Sequence, residues 1–174
     1  MSDRLRRDAL RDFRAALNRV IGCLAIAPLQ FASEDQADPL LRSFETPGER
    51  VQLRARRPLG LRVRLRARVG PDQDDARVWR VRIVAYQYAL LDDASREYLA
   101  YHWHPDGSSH VTQPHLHLGP AAGVAVPELA AAHLPTGPVS LAAVARLAIE
   151  AFDVRPLRLD WAAVLGRPEQ PPTG

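Results

Sequence analysis

Between Leu61 and Val69 the chain alternates without a break, Leu-Arg-Val-Arg-Leu-Arg-Ala-Arg-Val. Side chains on a strand point to opposite faces in turn, so this run can gather its aliphatic residues on one side only as a strand, with Arg62, Arg64, Arg66 and Arg68 on the other. A helix of the same sequence would scatter the arginines around its circumference. The chain therefore needs a sheet with one greasy face and one cationic face, and something apolar to cover the first.

That cover is available at the N-terminus. Residues 3–27 carry Leu10, Phe13, Leu17, Val20, Ile21 and Leu24 at helical spacing, and Pro28 marks the expected end of an amphipathic helix. Val20-Ile21-Gly22-Cys23 looks like a lipoprotein cleavage box, but Asp8 to Arg14 is too charged to be the apolar core of a signal peptide. Cys23 thus reads as a small buried residue, and as the only cysteine it excludes an internal disulfide. No apolar stretch approaches ~18 residues, so the expected location is cytoplasmic, with no membrane segment. A chain of 174 residues fits one domain, residues 1–166, and the proline-containing tail 167–174 is expected to be disordered.

Further strands follow the same logic. Val51 to Arg57 is a weak candidate, Val78 to Leu91 a long one, and Glu97 to His104 and Pro114 to Gly119 complete the series, each separated by a Gly, Pro, Asp or Ser turn. Short polar connections between consecutive strands predict an antiparallel meander. Ser140 can cap a helix running to Phe152, and a short helix is expected around Asp160 to Leu165. The predicted fold is α+β: an N-terminal helix, a four- to five-stranded antiparallel meander sheet, and one or two C-terminal helices packed on one sheet face.

All six histidines fall between His102 and His133, four of them in His-x-His pairs, His102 with His104 and His115 with His117. Tyr101 and Trp103, and Leu116 and Leu118, alternate with them, so each pair shares one face. If Trp79, Val81 and Ile83 are the buried set of the long strand, the opposite face collects Arg62, Arg64, Arg66, Arg68, Arg80, Arg82, Tyr86, Tyr88 and the four paired histidines. Bringing odd positions of that strand beside odd positions of the next requires a connection of odd length or a bulge; a simple two- or four-residue hairpin at Asp92 to Ser95 would send the histidines under the helices. Burying His102 and His104 while exposing Tyr101 and Trp103 is the costlier choice, which favours the solvated face.

The chemistry of that face has several readings. All 23 basic residues are arginines, and no acid lies between Arg54 and Val69 to compensate the ladder, so an anionic partner would relieve its repulsion. Tyr86 and Tyr88 beside arginines would suit single-stranded nucleic acid. His102, His104, His115 and His117 could act as general acid and base at a ribose phosphodiester, without metal or other cofactor. They could instead hold zinc, copper, nickel or iron, or be structural in a non-enzymatic protein that binds nucleic acid or another protein. His110 and His133 read as structural or solvated. No Walker loop, dinucleotide fingerprint, nucleophile elbow or HExxH motif is present.

Tyr86-Gln87-Tyr88, Leu91-Asp92-Asp93, Leu99 to Pro105, Gln113 to Leu118 and the helix from Ser140 together resemble the small TumE-type toxin components of prokaryotic toxin–antitoxin modules. Those proteins carry a similar Tyr-x-Tyr strand, an Asp-containing turn, a strand ending near His-Pro and a Pro-His-rich strand before a helix. The resemblance covers residues 86–150; the N-terminal helix and arginine strands lie outside it, and His-Leu-His stands where the family often has adjacent histidines. It implies a toxin-like protein acting on RNA, with an antitoxin partner of helix-turn-helix type. Together with the arginine and histidine face, this makes a metal-independent ribonuclease the leading expectation.

Overall fold

The alternating run lies in an interior strand of an eight-stranded sheet in which every pairing is antiparallel. The computed structural model describes residues 2–34, 38–107 and 110–166; the tail expected to be disordered lies outside the described residues. In chain order the elements are α1 (Ser2–Ile21), β1 (Gln30–Glu34), β2 (Leu41–Glu45), β3 (Val51–Leu53), β4 (Leu59–Pro71), β5 (Trp79–Leu91), β6 (Glu97–Trp103), β7 (His115–Leu118), α2 (Pro127–Ala130), β8 (Leu134–Pro135), α3 (Leu141–Ala151) and α4 (Trp161–Val164). The strand order is β1-β2-β4-β5-β6-β7-β8, with β3 paired to β4.

The sheet is larger than the predicted four or five strands because the polar stretch after α1 is itself a hairpin. β2 pairs with Arg64 to Arg68 of β4, and β3 pairs with Leu59 to Leu61 of the same strand. Between these two pairings the chain leaves the ladder at Pro47, which has no N–H to give, and at Gly48, whose φ of 67° suits a residue without Cβ. The sequence pattern there reads as loop although the segment follows one strand edge.

One face of the sheet is covered by helices. Leu61, Val63, Leu65 and Ala67 of β4 meet Leu17, Ile21 and Leu24 from the α1 region and Val144, Ala145 and Ala148 of α3 in a single apolar core. Each buried leucine, isoleucine or valine here contributes about 1.5–3 kcal/mol, which commits the strand to this facing. α1 stops at Ile21, short of the expected Pro28. Gly22 to Ala25 turn the chain, and the Asn18 side-chain oxygen accepts from the Leu29 N–H at 2.9 Å. α3 starts as expected, the Ser140 hydroxyl accepting from the Ala143 N–H at 3.1 Å. None of the described helices is long and apolar enough to cross a membrane.

Two register shifts decide where the histidines go. In β5, Ile83 pairs with Ala67 and Ala85 with Arg66, leaving Val84 as an extra residue that reverses the facing of everything after it. Odd positions point to the core up to Ile83, and even positions thereafter. Leu91 and Glu97 then pair across a five-residue turn, and Tyr98 is extra. The outcome sets Gln87 opposite His102 and Tyr88 opposite Tyr101. The histidines therefore lie on the arginine face, but Tyr86 and Tyr88 do not.

Candidate functional site

Three strands place the histidine cluster. Register aligns Glu45, Arg64, Gln87, His102 and His115 in one row across β2, β4, β5, β6 and β7, and Arg62, Ala89, Ala100 and His117 in the adjacent row. In the second row the two alanines leave His117 without a bulky neighbour on β6. Ring centroids of His102 and His117 are 4.8 Å apart, those of His102 and His115 5.7 Å, and those of His115 and His117 4.8 Å. One nitrogen from each of His102, His115 and His117 lies within 4.8 Å of the other two. His104 is 5.4 Å from His102 by ring centroid and falls outside this triad, at the edge towards the arginines.

His133 joins the cluster although the sequence reading set it aside. Its ring lies 4.3 Å from that of His117 and 4.9 Å from that of His115. The pairing of Leu116 with Leu134 and of His115 with Pro135 brings it there. The signal available in the sequence was only its position one residue before an apolar-Pro pair; the two-residue strand β8 is too short to show a period. His110 sits further out, 6.0 Å from His133.

Two of the rings, His115 and His102, have hydrogen-bond partners. His115 is buried, and its Nδ1 lies 2.7 Å from the Gln113 carbonyl oxygen, so Nδ1 carries the proton and Nε2 is left with a free lone pair. His102 Nε2 lies 3.2 Å from the Gln87 side-chain nitrogen. His102 holds a proton less readily than an ordinary imidazole, with its pKa lowered to about 4, first by burial and then by His117, His104, His115 and Arg62 around it. Burial also lowers His104, helped by His115 and Arg66, and lowers His117, helped by His133 and His115. Crowded imidazoles with too little water around them stay neutral, the form that binds metals.

The arginine ladder is less bare than its local sequence implies. Arg62 pairs with Glu97 at 2.6 Å, Arg68 with Asp38 at 2.7 Å, and Arg80 and Arg82 share Asp72. The acids come from other strands and turns, which a search between Arg54 and Val69 misses. Arg64 is exposed and has no ion pair among the described residues. Arg64 and Arg66 line a cavity of about 380 Å³ together with Gln87 and His104.

The two tyrosines expected on this face are in the core. Tyr86 and Tyr88 are 3% and 0% exposed and stack on one another at 4.7 Å with their rings nearly parallel. The Tyr86 hydroxyl accepts from the Val139 N–H at 2.9 Å, just before α3, while the buried Tyr88 hydroxyl has no hydrogen-bond partner among the described residues. The Val84 bulge is the physical reason, and a nucleic-acid stacking role for either ring is thereby removed.

No protein-family model, curated protein or solved structure matches the chain.

Proposed function

We propose that the protein binds a divalent transition metal through His102, His115 and His117, with His133 beside the site, and that the outer sheet face is its working surface. The observation that carries this is the convergence of three imidazole nitrogens within 4.8 Å, from two adjacent strands and backed by a buried ring whose Nδ1–H is committed to a carbonyl. A histidine ligand that gives its other N–H to a backbone carbonyl has its tautomer and direction set before the ion arrives. Zinc–nitrogen bonds of about 2.0–2.1 Å put tetrahedral ligands roughly 3.3 Å apart, so the rings close by small side-chain rotations on loading. Such an ion supplies a Lewis acid for a phosphoryl or carbonyl oxygen.

This differs from the metal-independent ribonuclease that the sequence favoured. Acid–base cleavage needs one protonated imidazole next to a neutral one, and the lowered proton affinities of His102, His104 and His117 work against the protonated partner. The pairing of Arg62, Arg68, Arg80 and Arg82 with acids also reduces the positive field that a cation at the histidines would meet. Action on RNA in a toxin-like setting with an antitoxin partner remains part of the proposal, motivated by the resemblance across residues 86–150 and by the exposed Arg64.

Titration of chelator-treated, untagged protein with Co²⁺ tests the metal reading. A d–d absorption band that saturates at one ion per chain, and that His117→Ala removes, is expected. Absence of a saturable band, or an identical band in the His102→Asn and His117→Ala variants, contradicts it.

A further inference from the structure

We infer that the arginine end of the same row recognises a phosphate ester, with Arg64 as its principal donor and Arg66 and His104 beside it; this rests on the metal reading, because the ester is the ligand brought to the metal. Arg64 and His102 flank Gln87 in a single cross-sheet row. Gln87 lines the cavity beside Arg64 and also touches His102, so an anion held by Arg64 lies one strand away from the histidine cluster.

The chemistry of the walls selects the ligand. A guanidinium fork matches two oxygens of a carboxylate or a phosphate, but only the phosphate has further oxygens to share with a second cation. Arg66 lines the same wall. Ser43 and Glu45 form the opposite side, where Glu45 stands in register with Arg64 without an ion pair to it. The Glu45 carboxylate repels an anion and so sets an upper bound on affinity. A volume of about 380 Å³ lies within the usual small-ligand range of about 300–1,000 Å³ and is larger than a bare phosphate, which leaves room for an attached sugar.

Calorimetric titration of the zinc-loaded full chain with inorganic phosphate and, separately, with the dinucleotide uridylyl-uridine tests this, with zinc content read in parallel by mass spectrometry. Binding of the dinucleotide is expected, weakened tenfold or more by Arg64→Gln and tightened by Glu45→Gln, with zinc content the same in both variants. The dinucleotide binding more tightly would identify a phosphodiester as the ligand; inorganic phosphate alone binding would contradict recognition of an ester. If neither probe binds the zinc-loaded chain, or Arg64→Gln binds as tightly as the unaltered protein, phosphate recognition is overturned while the metal reading stands. If no zinc is taken up, the metal reading fails first, and this inference with it.

Discussion

The side-chain amide of Gln87 meets Nε2 of His102 at 3.2 Å, so the most proton-averse imidazole of the cluster is held by a neutral neighbour and not by a carboxylate. That contact fixes the ring's direction without adding charge. It also ties the histidine cluster to the arginine cavity, because Gln87 lines both.

Gln87→Leu removes the contact and keeps the strand. With its amide turned so that the oxygen accepts from the His102 Nε2–H, as ligation through Nδ1 requires, Gln87 becomes a partner of the kind typically worth about 10–100-fold in metal affinity. Competition against a chromophoric chelator is expected to show metal affinity lowered about tenfold, with the thermal midpoint of the metal-free protein little changed. Unchanged affinity would mean that Gln87 does not orient His102.

Acid destabilises the metal-free protein in a defined window. His102 in an unfolded chain takes up a proton near pH 6.5, whereas burial, and then the neighbouring histidines and Arg62, delay this to about 4 in the folded protein. The unfolded state therefore binds more protons between those values, and stability, fully present above about pH 6.5, falls as the pH drops towards 4. The ring is partly exposed, so solvent screening limits the effect to on the order of 1–2 kcal/mol. Urea midpoints at pH 7.5 and 4.5, compared between the unaltered chain and His102→Gln, isolate it: the slope should be shallower in the variant.

The stacked tyrosines give opposite outcomes for the same substitution. Tyr86→Phe leaves the Val139 N–H unpaired and is expected to cost about 1–2 kcal/mol. Tyr88→Phe removes a buried hydroxyl that has no partner among the described residues and should be neutral or stabilising. Thermal unfolding of the two variants, side by side, checks both; a large loss in Tyr88→Phe would contradict the hydrogen-bonding described for the core.

What the sequence disclosed follows from periodicity. The β4 alternation, the Ser140 cap and the apolar stripe of α1 each repeat a pattern over enough residues to be read directly, and all three are found. β1 and β2 were missed because their partner strand, and not their own pattern, makes them strands; Pro39, Pro47 and Gly48 dominate the local signal. The Val84 bulge is invisible in composition, yet that one residue moves Tyr86 and Tyr88 from the working face to the core. The histidines share the arginine face, with His115 buried there and not solvated as expected, and the reversal that sets this facing lies in mid-strand as well as at the Asp92 turn. His133 depends on a two-residue strand pairing, and Glu97, Asp38 and Asp72 reach the arginines from distant segments, neither of which leaves a local trace.

Gly119 limits how the β6–β7 pair can be altered. A Cβ at this position would be driven against the backbone carbonyl of Glu97, and neither side is a flexible side-chain end that could move away. Gly119→Ala is expected to lower the thermal midpoint by several degrees and to loosen metal affinity through the displaced β7, both readable on one sample by calorimetry with and without zinc. A variant as stable as the parent would show that this approach of the two strands is not required.

The most direct measurement is the zinc stoichiometry and affinity of untagged, refilled protein by native mass spectrometry and chelator competition, for the unaltered chain and for His102→Asn, His115→Gln and His117→Ala. One tightly held ion per chain, weakened at least a hundredfold in His117→Ala and His102→Asn while circular dichroism shows an unchanged fold, is the predicted result. No stoichiometric ion in the unaltered protein, or retention of it in both variants, would contradict the central claim that these strands converge on a metal.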